Sequence, residues 1–357
     1  MKALVTANFD DANLNRLQDD LGMVIDYRPI KERSERLSQS ELEVLLEDVD
    51  VFVVGYEGVS AEVMDTAENL QVIACSRGGP EANVDIDAAT DRGIPVLYAP
   101  ERNAVSVADF TVGMILASTR NIARSHHLLH TQTYTGEPVA DAAGGGERED
   151  VTWGIAKGSP YAELAGPELE GKTLGIVGMG AIGQNVAQRA DGFGVEMLGV
   201  DPFVDTEAMA EHGVTKVKLD ELCERSDIVT VHCPVTEATR NLIGEAEFDL
   251  MPQNAYFVNI ARGAIIEQDA LVDALRNDQL AGAALDVYDR EPLPDGHPLL
   301  ELPNVVTTPH IAGAAHEVVN RHAAMLTDDI AALLAGREPE HVANEEALAG
   351  LTVGDET

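Results

Sequence analysis

Three side chains with acid–base or anion-binding chemistry follow apolar, strand-like runs in the second half of the chain. Arg262 follows AYFVNIA, Glu291 follows GAALDVYDR, and His310 closes NVVTTPH. A guanidinium suits bidentate capture of a carboxylate and can polarise a neighbouring carbonyl. An imidazole can donate and remove a proton, and a nearby carboxylate raises its pKa. Singly, each residue is equally consistent with a structural role, so the prediction of an acid–base site depends on all three.

A glycine-rich turn in the middle of the chain has the pattern of a phosphate-binding loop. Gly178, Gly180 and Gly183 in GIVGMGAIG lie between the strand-like TLGIVG and the helical AIGQNVAQRADGF. The first glycine permits a tight turn, the second lets the backbone approach a pyrophosphate, and the third lets helix pack on strand. We expect the anion to face this turn and the first helical residues, Ala181 and Ile182.

The next strand-like run, VEMLGVD, ends in an acidic residue at the position expected of a ribose ligand. Asp201 lies 18 residues after Gly183, close to the spacing of about 20 in dinucleotide-binding units. Pro202 and Phe203 follow it, so no arginine stands there to receive a 2′-phosphate. The sequence therefore predicts NAD rather than NADP.

Strand-like and helical segments alternate along two stretches of the chain. The first hundred residues contain the runs ALVTA, DVDVFVVG, QVIAC and IPVLYA, and a second series of six runs begins at Thr173. Alternation of this kind predicts parallel sheets in an α/β fold, and six strands suit a doubly wound dinucleotide sheet. A last amphipathic helix, AHEVVNRHAAMLTDDIAALLAG, is expected to return to the first domain.

The charge balance excludes several classes of partner. The chain has 357 residues with 62 acidic and 24 basic side chains, a net charge of −38. Nucleic acids and acidic membrane surfaces are therefore not expected partners. Only six of the basic residues are lysines, and a shell of carboxylates with few lysines is typical of proteins from salt-loving organisms, in which high ionic strength screens the repulsion.

Cysteine usage and hydropathy indicate a cytoplasmic protein without a membrane span. Cys75, Cys223 and Cys233 form no CxxC pair, which fits reduced thiols. The longest apolar stretch, residues 110–118, is far shorter than the roughly 20 residues of a membrane helix. His126, His127 and His130 have helical spacing, but no carboxylate completes a metal-binding set, so we interpret them as a solvated helix face and predict no metal.

Six motifs, taken in order, resemble one enzyme family. They are NAVSVADFTVG, GPELEGKTLGIVGMGAIGQNVAQRADGFG, HCPVTEATRNLIG, NIARGAIIEQDAL, GAALDVYDREP and TPHIAG, within residues 50–335. The sequence is similar to the D-isomer-specific 2-hydroxyacid dehydrogenases, which include D-3-phosphoglycerate dehydrogenase and glycerate/hydroxypyruvate reductases.

The resemblance implies a role for each matching position. Arg262 corresponds to the carboxylate and carbonyl binder, His310 to the acid/base, and Glu291 to the carboxylate beside it. Further coenzyme contacts are implied for eight residues: His232, Cys233, Pro234, Thr239, Ile260, Ala261, Asp286 and Gly313.

The resemblance also implies a two-domain architecture with a cleft between the domains. We expect a flavodoxin-like substrate domain from residues 1–102 and 312–357, and a doubly wound NAD-binding domain from residues 103–311. The polar segment 131–166 is expected to be a loop or arm. Relatives form dimers through the coenzyme domain, so a homodimer is expected.

One stretch departs from the family pattern where the substrate is expected to bind. Many members read G-x-G-x-D-N-V-D, whereas this chain reads SRGGPEANVD. Gly78 and Gly79 are expected to present amides to a carboxylate. We hypothesise that Arg77 meets a second anionic or polyhydroxy end of the substrate; the alternative is a surface arginine paired with an acid.

These observations predict an NAD-dependent oxidoreductase that transfers a hydride between nicotinamide and a 2-keto or D-2-hydroxy acid such as a phosphoglycerate, a glycerate or a sugar acid. The alternative is an NAD(H)-sensing, corepressor-like binding protein of the same fold. A formate dehydrogenase relative is disfavoured, because that group has glutamine where this chain has Glu291.

Overall fold

The computed structural model describes residues 1–135 and 157–350. The chain divides into two compact units. The first contains Met1–Asn103 and the residues from Ala314 onward, and the second is Ala104–Gly313. These divisions fall beside the boundaries drawn from the sequence at residues 102 and 312. Most of the segment predicted to be an arm, 131–166, lies outside the described residues.

Twelve strands are present in the described part of the chain. They are β1 (Lys2–Val5), β2 (Val24–Tyr27), β3 (Val51–Val54), β4 (Val72–Cys75), β5 (Val96–Tyr98), β6 (Thr173–Val177), β7 (Glu196–Val200), β8 (Val214–Lys216), β9 (Ile228–Val231), β10 (Tyr256–Asn259), β11 (Gly282–Leu285) and β12 (Val305–Thr307).

The α-helices of the same residues lie between and after these strands. They are α1 (Asp11–Asn15), α2 (Gln39–Leu46), α3 (Ala61–Thr66), α4 (Ile86–Asp91), α5 (Ala104–Thr119), α6 (Ile122–His130), α7 (Pro160–Glu163), α8 (Ala181–Ala190), α9 (Thr206–Glu211), α10 (Leu219–Arg225), α11 (Glu245–Leu250), α12 (Gln268–Arg276) and α13 (His316–Leu334).

Two separate parallel sheets confirm the predicted α/β class. The first unit has the strand order β2-β1-β3-β4-β5, which is the flavodoxin-like order. The second has the order β12-β11-β10-β9-β6-β7-β8. If β6 is numbered as strand 1, the strands β6 to β11 have the order 3-2-1-4-5-6 of dinucleotide-binding domains. A seventh strand, β12, is added beside β11 at one edge.

Two strands are missing from the sequence prediction, and both lie at sheet edges. β2 is an edge of the first sheet and β8 an edge of the second. Val24 is exposed and the other residues of β2 are half-buried, whereas all four residues of β3 are buried. An edge strand is not covered on both faces, so its sequence lacks the continuous apolar run by which the central strands were recognised.

The last helix packs within the first unit. Ala323, Leu326 and Ile330 of α13 belong to the same buried cluster as Val5 and Val53 of the sheet. Their spacing places them on one face of the helix, as the amphipathic pattern requires. Among the described residues, no helix is both long and apolar enough to cross a membrane.

The acidic excess leads to a prediction about salt. Dialysis from molar KCl into dilute buffer should lower the free energy of unfolding, because repulsion within a chain of net charge −38 is then no longer screened. Circular dichroism during thermal unfolding measures this. NaCl should restore the structure as well as KCl, whereas sucrose at equal osmolality should restore less. Full stability in dilute buffer would contradict the interpretation.

Candidate active site

The three predicted catalytic residues lie in the loops at the carboxyl ends of three neighbouring strands of the second sheet, β10, β11 and β12. Asn259 of β10 pairs with Leu285 of β11, and Leu285 pairs with Thr307 of β12, so the carboxyl ends of the three strands are in register. Arg262, Glu291 and His310 follow these strand ends within a few residues. Parallel pairing therefore brings together segments that lie far apart in sequence.

His310 and Glu291 form a direct pair. The His310 Nδ1 lies 2.6 Å from the Glu291 Oε2, with the two side chains 46% and 35% exposed. A carboxylate only accepts, so the Nδ1 carries the hydrogen of this bond. Nε2 is then the nitrogen left for proton exchange with a substrate. The second Glu291 oxygen, Oε1, accepts from the Tyr288 backbone N–H at 3.1 Å.

A buried carboxylate holds the backbone around His310. His310 has φ +55°, a left-handed conformation that is uncommon for a residue with a Cβ. Asp286 is fully buried and accepts three hydrogen bonds from the adjoining segment. Its Oδ1 accepts from the Thr308 hydroxyl at 2.6 Å and the Ile311 N–H at 2.9 Å, and its Oδ2 accepts from the Ala312 N–H at 2.8 Å. Asp286, predicted as a coenzyme contact, thus anchors the turn that carries His310.

Tyr288 joins the segment of Glu291 to that of His310, and the sequence analysis did not identify it. Its hydroxyl lies 2.8 Å from the Thr308 carbonyl and 3.2 Å from the Leu285 carbonyl. Burial raises the pKa of Tyr288 to about 12, so the hydroxyl stays protonated and donates. The position falls inside the GAALDVYDREP motif, but only the folded chain shows what the hydroxyl contacts.

Arg262 lies in a tight turn built by Asn259. The buried Asn259 side chain donates to the Arg262 carbonyl at 2.9 Å and accepts from the Ala261 N–H at 3.0 Å. At the next residue, Gly263, a Cβ would lie 2.1 Å from the Tyr288 carbonyl oxygen. The turn that carries Arg262 therefore packs against the segment that carries Glu291, and this close approach requires glycine.

The glycine turn lies between β6 and β9, where the strand order of the second sheet reverses. Gly178 has φ +97°, and a Cβ there would lie 2.6 Å from the Cys233 backbone nitrogen. A Cβ on Gly183 would lie 2.1 Å from the Gly178 carbonyl oxygen. The two glycines thus allow the strand, the helix and the neighbouring strand end to approach closely.

Unlike Gly178 and Gly183, Gly180 borders open space, and this space shows whether a dinucleotide fits at the turn. It is the N-cap of α8, with no side chain capping the helix, and a Cβ on it would meet nothing within 4 Å. The first turn of α8 contains Ala181 and Ile182 and no acidic residue. Free backbone N–H groups and the positive end of the helix dipole therefore face open space, which suits a pyrophosphate.

Asp201 stabilises this turn from the end of β7. Its Oδ2 accepts from the Met179 N–H at 2.9 Å and its Oδ1 from the Phe203 N–H at 2.8 Å. Pro202 and Phe203 are exposed, and Phe203 is 96% exposed. Each carboxylate oxygen keeps a lone pair for a ribose hydroxyl, which supports the predicted role.

The remaining predicted coenzyme residues follow the carboxyl ends of β9, β10 and β12 in the second sheet. Burial lowers the pKa of His232 to about 3 and raises that of Cys233 to about 11, so both side chains are neutral at physiological pH. The Thr239 hydroxyl donates to the Pro234 carbonyl at 2.6 Å and fixes that loop. Ile260, Ala261 and Gly313 are buried or half-buried.

The predicted substrate residues lie in the first unit. Arg77, Gly78 and Gly79 follow β4, and the Arg77 guanidinium lies 5.6 Å from the centroid of the Tyr56 ring. Within residues 1–135 and 157–350, no carboxylate oxygen lies within 4.0 Å of an Arg77 nitrogen. The alternative of a surface arginine paired with an acid therefore finds no support in the described structure.

Comparison with known proteins identifies the family. The family model described as "D-isomer specific 2-hydroxyacid dehydrogenase, NAD binding domain" matches residues 112–312. A glyoxylate reductase from Thermofilum pendens is 37% identical over 354 residues, which cover 97% of this chain and 95% of that protein. The chain belongs to the D-isomer-specific 2-hydroxyacid dehydrogenase family.

Two further relatives support the assignment. A D-3-phosphoglycerate dehydrogenase from Methanocaldococcus jannaschii is 37% identical over 311 residues, which cover 86% of this chain but only 54% of that protein. The chain thus matches about half the length of that relative. A solved structure of a protein from Thermus thermophilus is 33% identical, with a TM-score of 0.77 and coverage of 96% of this chain and 100% of the other.

Membership in this family confirms three predictions from the sequence: the two-domain α/β fold class, NAD(H) as the cofactor, and an oxidoreductase acting on 2-hydroxy acids. The glycine turn and Asp201 are the residues of this chain that would hold the dinucleotide.

The first prediction from the site concerns Tyr288. In Y288F the hydrogen bond to the Thr308 carbonyl is lost, so the turn that carries His310 is held less firmly against the segment that carries Glu291. Proton transfer depends on the exact position of the imidazole, so kcat for keto-acid reduction should fall by about tenfold. The affinity for NADH should stay unchanged, because Tyr288 is not part of the glycine turn.

Steady-state rates of NADH oxidation measure kcat, and NADH fluorescence measures binding. The matched control is Y256F, since Tyr256 is half-buried in the same unit but lies in β10, away from the turn that carries His310. Y256F should leave kcat unchanged. An unchanged kcat in Y288F would show that its hydroxyl does not position His310.

The second prediction concerns cofactor choice. The 2′-phosphate of NADPH would meet the Asp201 carboxylate, so kcat/KM should be at least about tenfold higher with NADH, an energy of roughly 1.4 kcal/mol. D201A should lower the ratio of kcat/KM with NADH to kcat/KM with NADPH. It should also weaken the binding of both cofactors, because the contacts to the Met179 and Phe203 N–H groups are lost. A preference for NADPH in the unmodified protein would refute the role of Asp201.

Proposed function

We propose that this protein reduces a 2-keto acid to the D-2-hydroxy acid with NADH, and catalyses the reverse oxidation with NAD. The observation that carries the proposal is the 2.6 Å contact between His310 and Glu291 at a sheet edge that also bears the dinucleotide turn. An imidazole held by a carboxylate is the group that the reaction requires, because hydride addition to a carbonyl must be matched by a proton.

Each of the three residues has a distinct task in this mechanism. The Arg262 guanidinium binds the substrate carboxylate and polarises the neighbouring carbonyl. Bound NADH supplies the hydride that the carbonyl carbon accepts. The His310 Nε2 gives its proton to the carbonyl oxygen, and the Glu291 carboxylate stabilises the imidazolium before that transfer. In the oxidative direction, neutral His310 takes the hydroxyl proton.

Local groups oppose the overall charge of the protein. A net charge of −38 disfavours the approach of an anionic cofactor and an anionic substrate. At the site, the N-terminus of α8 carries no acidic residue in its first turn, and Arg262 contributes a positive charge. High ionic strength screens the distant carboxylates more than these contact interactions, so salt should favour binding.

The substrate is a small 2-keto or 2-hydroxy acid. Curated relatives include proteins named glyoxylate reductase and D-3-phosphoglycerate dehydrogenase, so short and phosphorylated acids are both reasonable substrates. We also infer a homodimer through the NAD-binding domain and a cytoplasmic location, as the resemblance and the cysteine usage imply.

Substitution of His310 tests the mechanism. H310Q should lower kcat by about 10²- to 10⁴-fold, the usual contribution of general acid–base catalysis, and leave NADH affinity unchanged. Loss of NADH absorbance measures turnover with glyoxylate, hydroxypyruvate, phosphohydroxypyruvate and tetronic acids in molar KCl, and NADH fluorescence measures binding. E291Q should lower kcat less, since the imidazole remains.

The matched control is H212Q, at the end of α9 and outside the site, which should retain full activity. NADH binding without turnover of any acid by the unmodified protein would decide for an NAD(H)-sensing binding protein instead.

A further inference from the structure

The Glu291 loop, residues 287–297, has little regular structure of its own. All of it is described, and it contains no helix or strand. Its backbone makes two hydrogen bonds to other backbone groups, and both lie after Glu291. The His297 N–H donates to the Pro294 carbonyl at 3.2 Å, and the Leu300 N–H donates to the His297 carbonyl at 2.9 Å. A loop with so few backbone bonds needs outside contacts to hold a side chain in a fixed position.

The Gln268 side chain contacts the Glu291 loop on both sides of Glu291. Its Oε1 accepts from the Asp289 N–H at 3.2 Å, and its Nε2 lies 3.1 Å from the His297 Nε2. Gln268 is buried, with 6% of its surface exposed. A buried amide that meets an irregular loop at two points restricts the chain between those points, and that stretch contains Glu291.

The two contacts of Gln268 are not equivalent. The His297 ring faces two donors, because the Leu299 N–H donates to its Nδ1 at 3.2 Å while the Gln268 amide faces its Nε2. An uncharged imidazole accepts at one nitrogen only, so these two donors compete for the ring. The Asp289 N–H meets the Gln268 Oε1 without such competition. The bond from Asp289 is therefore the contact that fixes the loop, and His297 assists it.

The segment that carries Arg262 places Gln268. Gln268 is the first residue of α12, which follows the Arg262 turn directly. Between the turn and the helix, Ile265 and Ile266 are buried in the core of the second unit. Gln268 therefore links the loop after β10 to the loop after β11. Tyr288 makes the corresponding link between the loops after β11 and β12.

Electrostatic repulsion opposes the contact between Gln268 and the Glu291 loop. Burial raises the pKa of the Asp289 carboxyl and the charge of Asp269 raises it further, while His297 and Arg290 offset part of the shift. Asp269 is the second residue of α12, so two carboxylates repel each other beside the bond that Gln268 makes. Within the described residues, no basic nitrogen lies within 4.0 Å of either carboxylate. The bond to Gln268 therefore holds the loop against a repulsion that no close ion pair relieves.

We propose that Gln268 is a positioning residue, which holds the Glu291 carboxylate where it meets His310 and ties this pair to the turn of Arg262. The proposal rests on the proposed function, because it gives Gln268 a part in proton transfer by His310. Gln268 acts through the backbone of Asp289, and it needs no contact with substrate or cofactor to do so.

Replacement of the amide by an apolar side chain tests the proposal. Q268L leaves the Asp289 N–H without an acceptor, so kcat per NADH-binding site should fall by about tenfold, whereas NADH affinity should stay unchanged. Q268E should keep most of the activity, because its carboxylate accepts from both the Asp289 N–H and the His297 Nε2–H. Both are assayed in molar KCl, which screens the added charge. NADH fluorescence counts the binding sites, so unfolded protein does not lower the measured kcat.

Q279L is the matched control, because Gln279 lies beyond the other end of α12 and its amide donates to the Asp249 side chain at 2.6 Å, away from the Glu291 loop. It should change neither kcat nor NADH binding. A merely structural role of Gln268 would lower the number of binding sites and leave kcat per site unchanged. That result in Q268L, or equal losses of kcat in Q268L and Q268E, would overturn the proposal.

The NMR signal of the His310 ring tests the proposal without turnover, which keeps its failure distinct from failure of the proposed function. The signal is identified in the full chain with NADH as the one that H310Q lacks. It should move in Q268L and stay in place in Q268E and Q279L, because it reports the contact with Glu291. A signal that does not move in Q268L would overturn the proposal. A signal that moves, together with absence of turnover of every acid, would support the positioning role and contradict the proposed function alone.

Discussion

The hydrogen bond between the His310 Nδ1 and the Glu291 carboxylate is the interaction on which the proposed chemistry depends. It fixes the Nδ1 as the nitrogen bound to the carboxylate and leaves the Nε2 for proton exchange. The pair connects two surface segments, so its geometry is set by what lies beneath them. Asp286 binds the segment around His310 through three donors, and Tyr288 links that segment to the one bearing Glu291. A buried polar network thus positions the partly exposed pair of His310 and Glu291.

Acidic side chains are absent from the places where an anion is expected to bind. The chain carries a net charge of −38, yet no carboxylate lies in the first turn of the helix expected to face the pyrophosphate. Among the described residues, Arg77 also has no carboxylate within ion-pair distance. The carboxylate of Glu57, next to Tyr56 in the chain, is already paired with Arg33. A strongly acidic chain can therefore still bind an anion. Salt screens the repulsion from distant carboxylates, whereas hydrogen bonds and ion pairs at contact distance are screened much less.

Parallel strand pairing explains how residues that are distant in sequence meet at one edge of each sheet. In each unit the strand ends are level, so short loops after neighbouring strands converge on one edge. In the second unit this edge carries Arg262, Glu291 and His310, and in the first it carries the predicted substrate residue Arg77. Gly178, Gly183 and Gly263 make the necessary close approaches possible, since a Cβ at any of them would overlap neighbouring backbone.

The sequence by itself determined the α/β class and the buried central strands, and it predicted the glycine turn, Asp201 and the three candidate catalytic residues, because apolar runs and short motifs are local signals. It did not reveal the edge strands β2 and β8, whose exposed faces remove the apolar run. Only the tertiary structure decided the positioning role of Tyr288 and the anchoring role of Asp286. Both act through partners distant in sequence, and Thr308 is a partner of each. Such contacts leave no periodicity, so folding of the sheets had to bring them together.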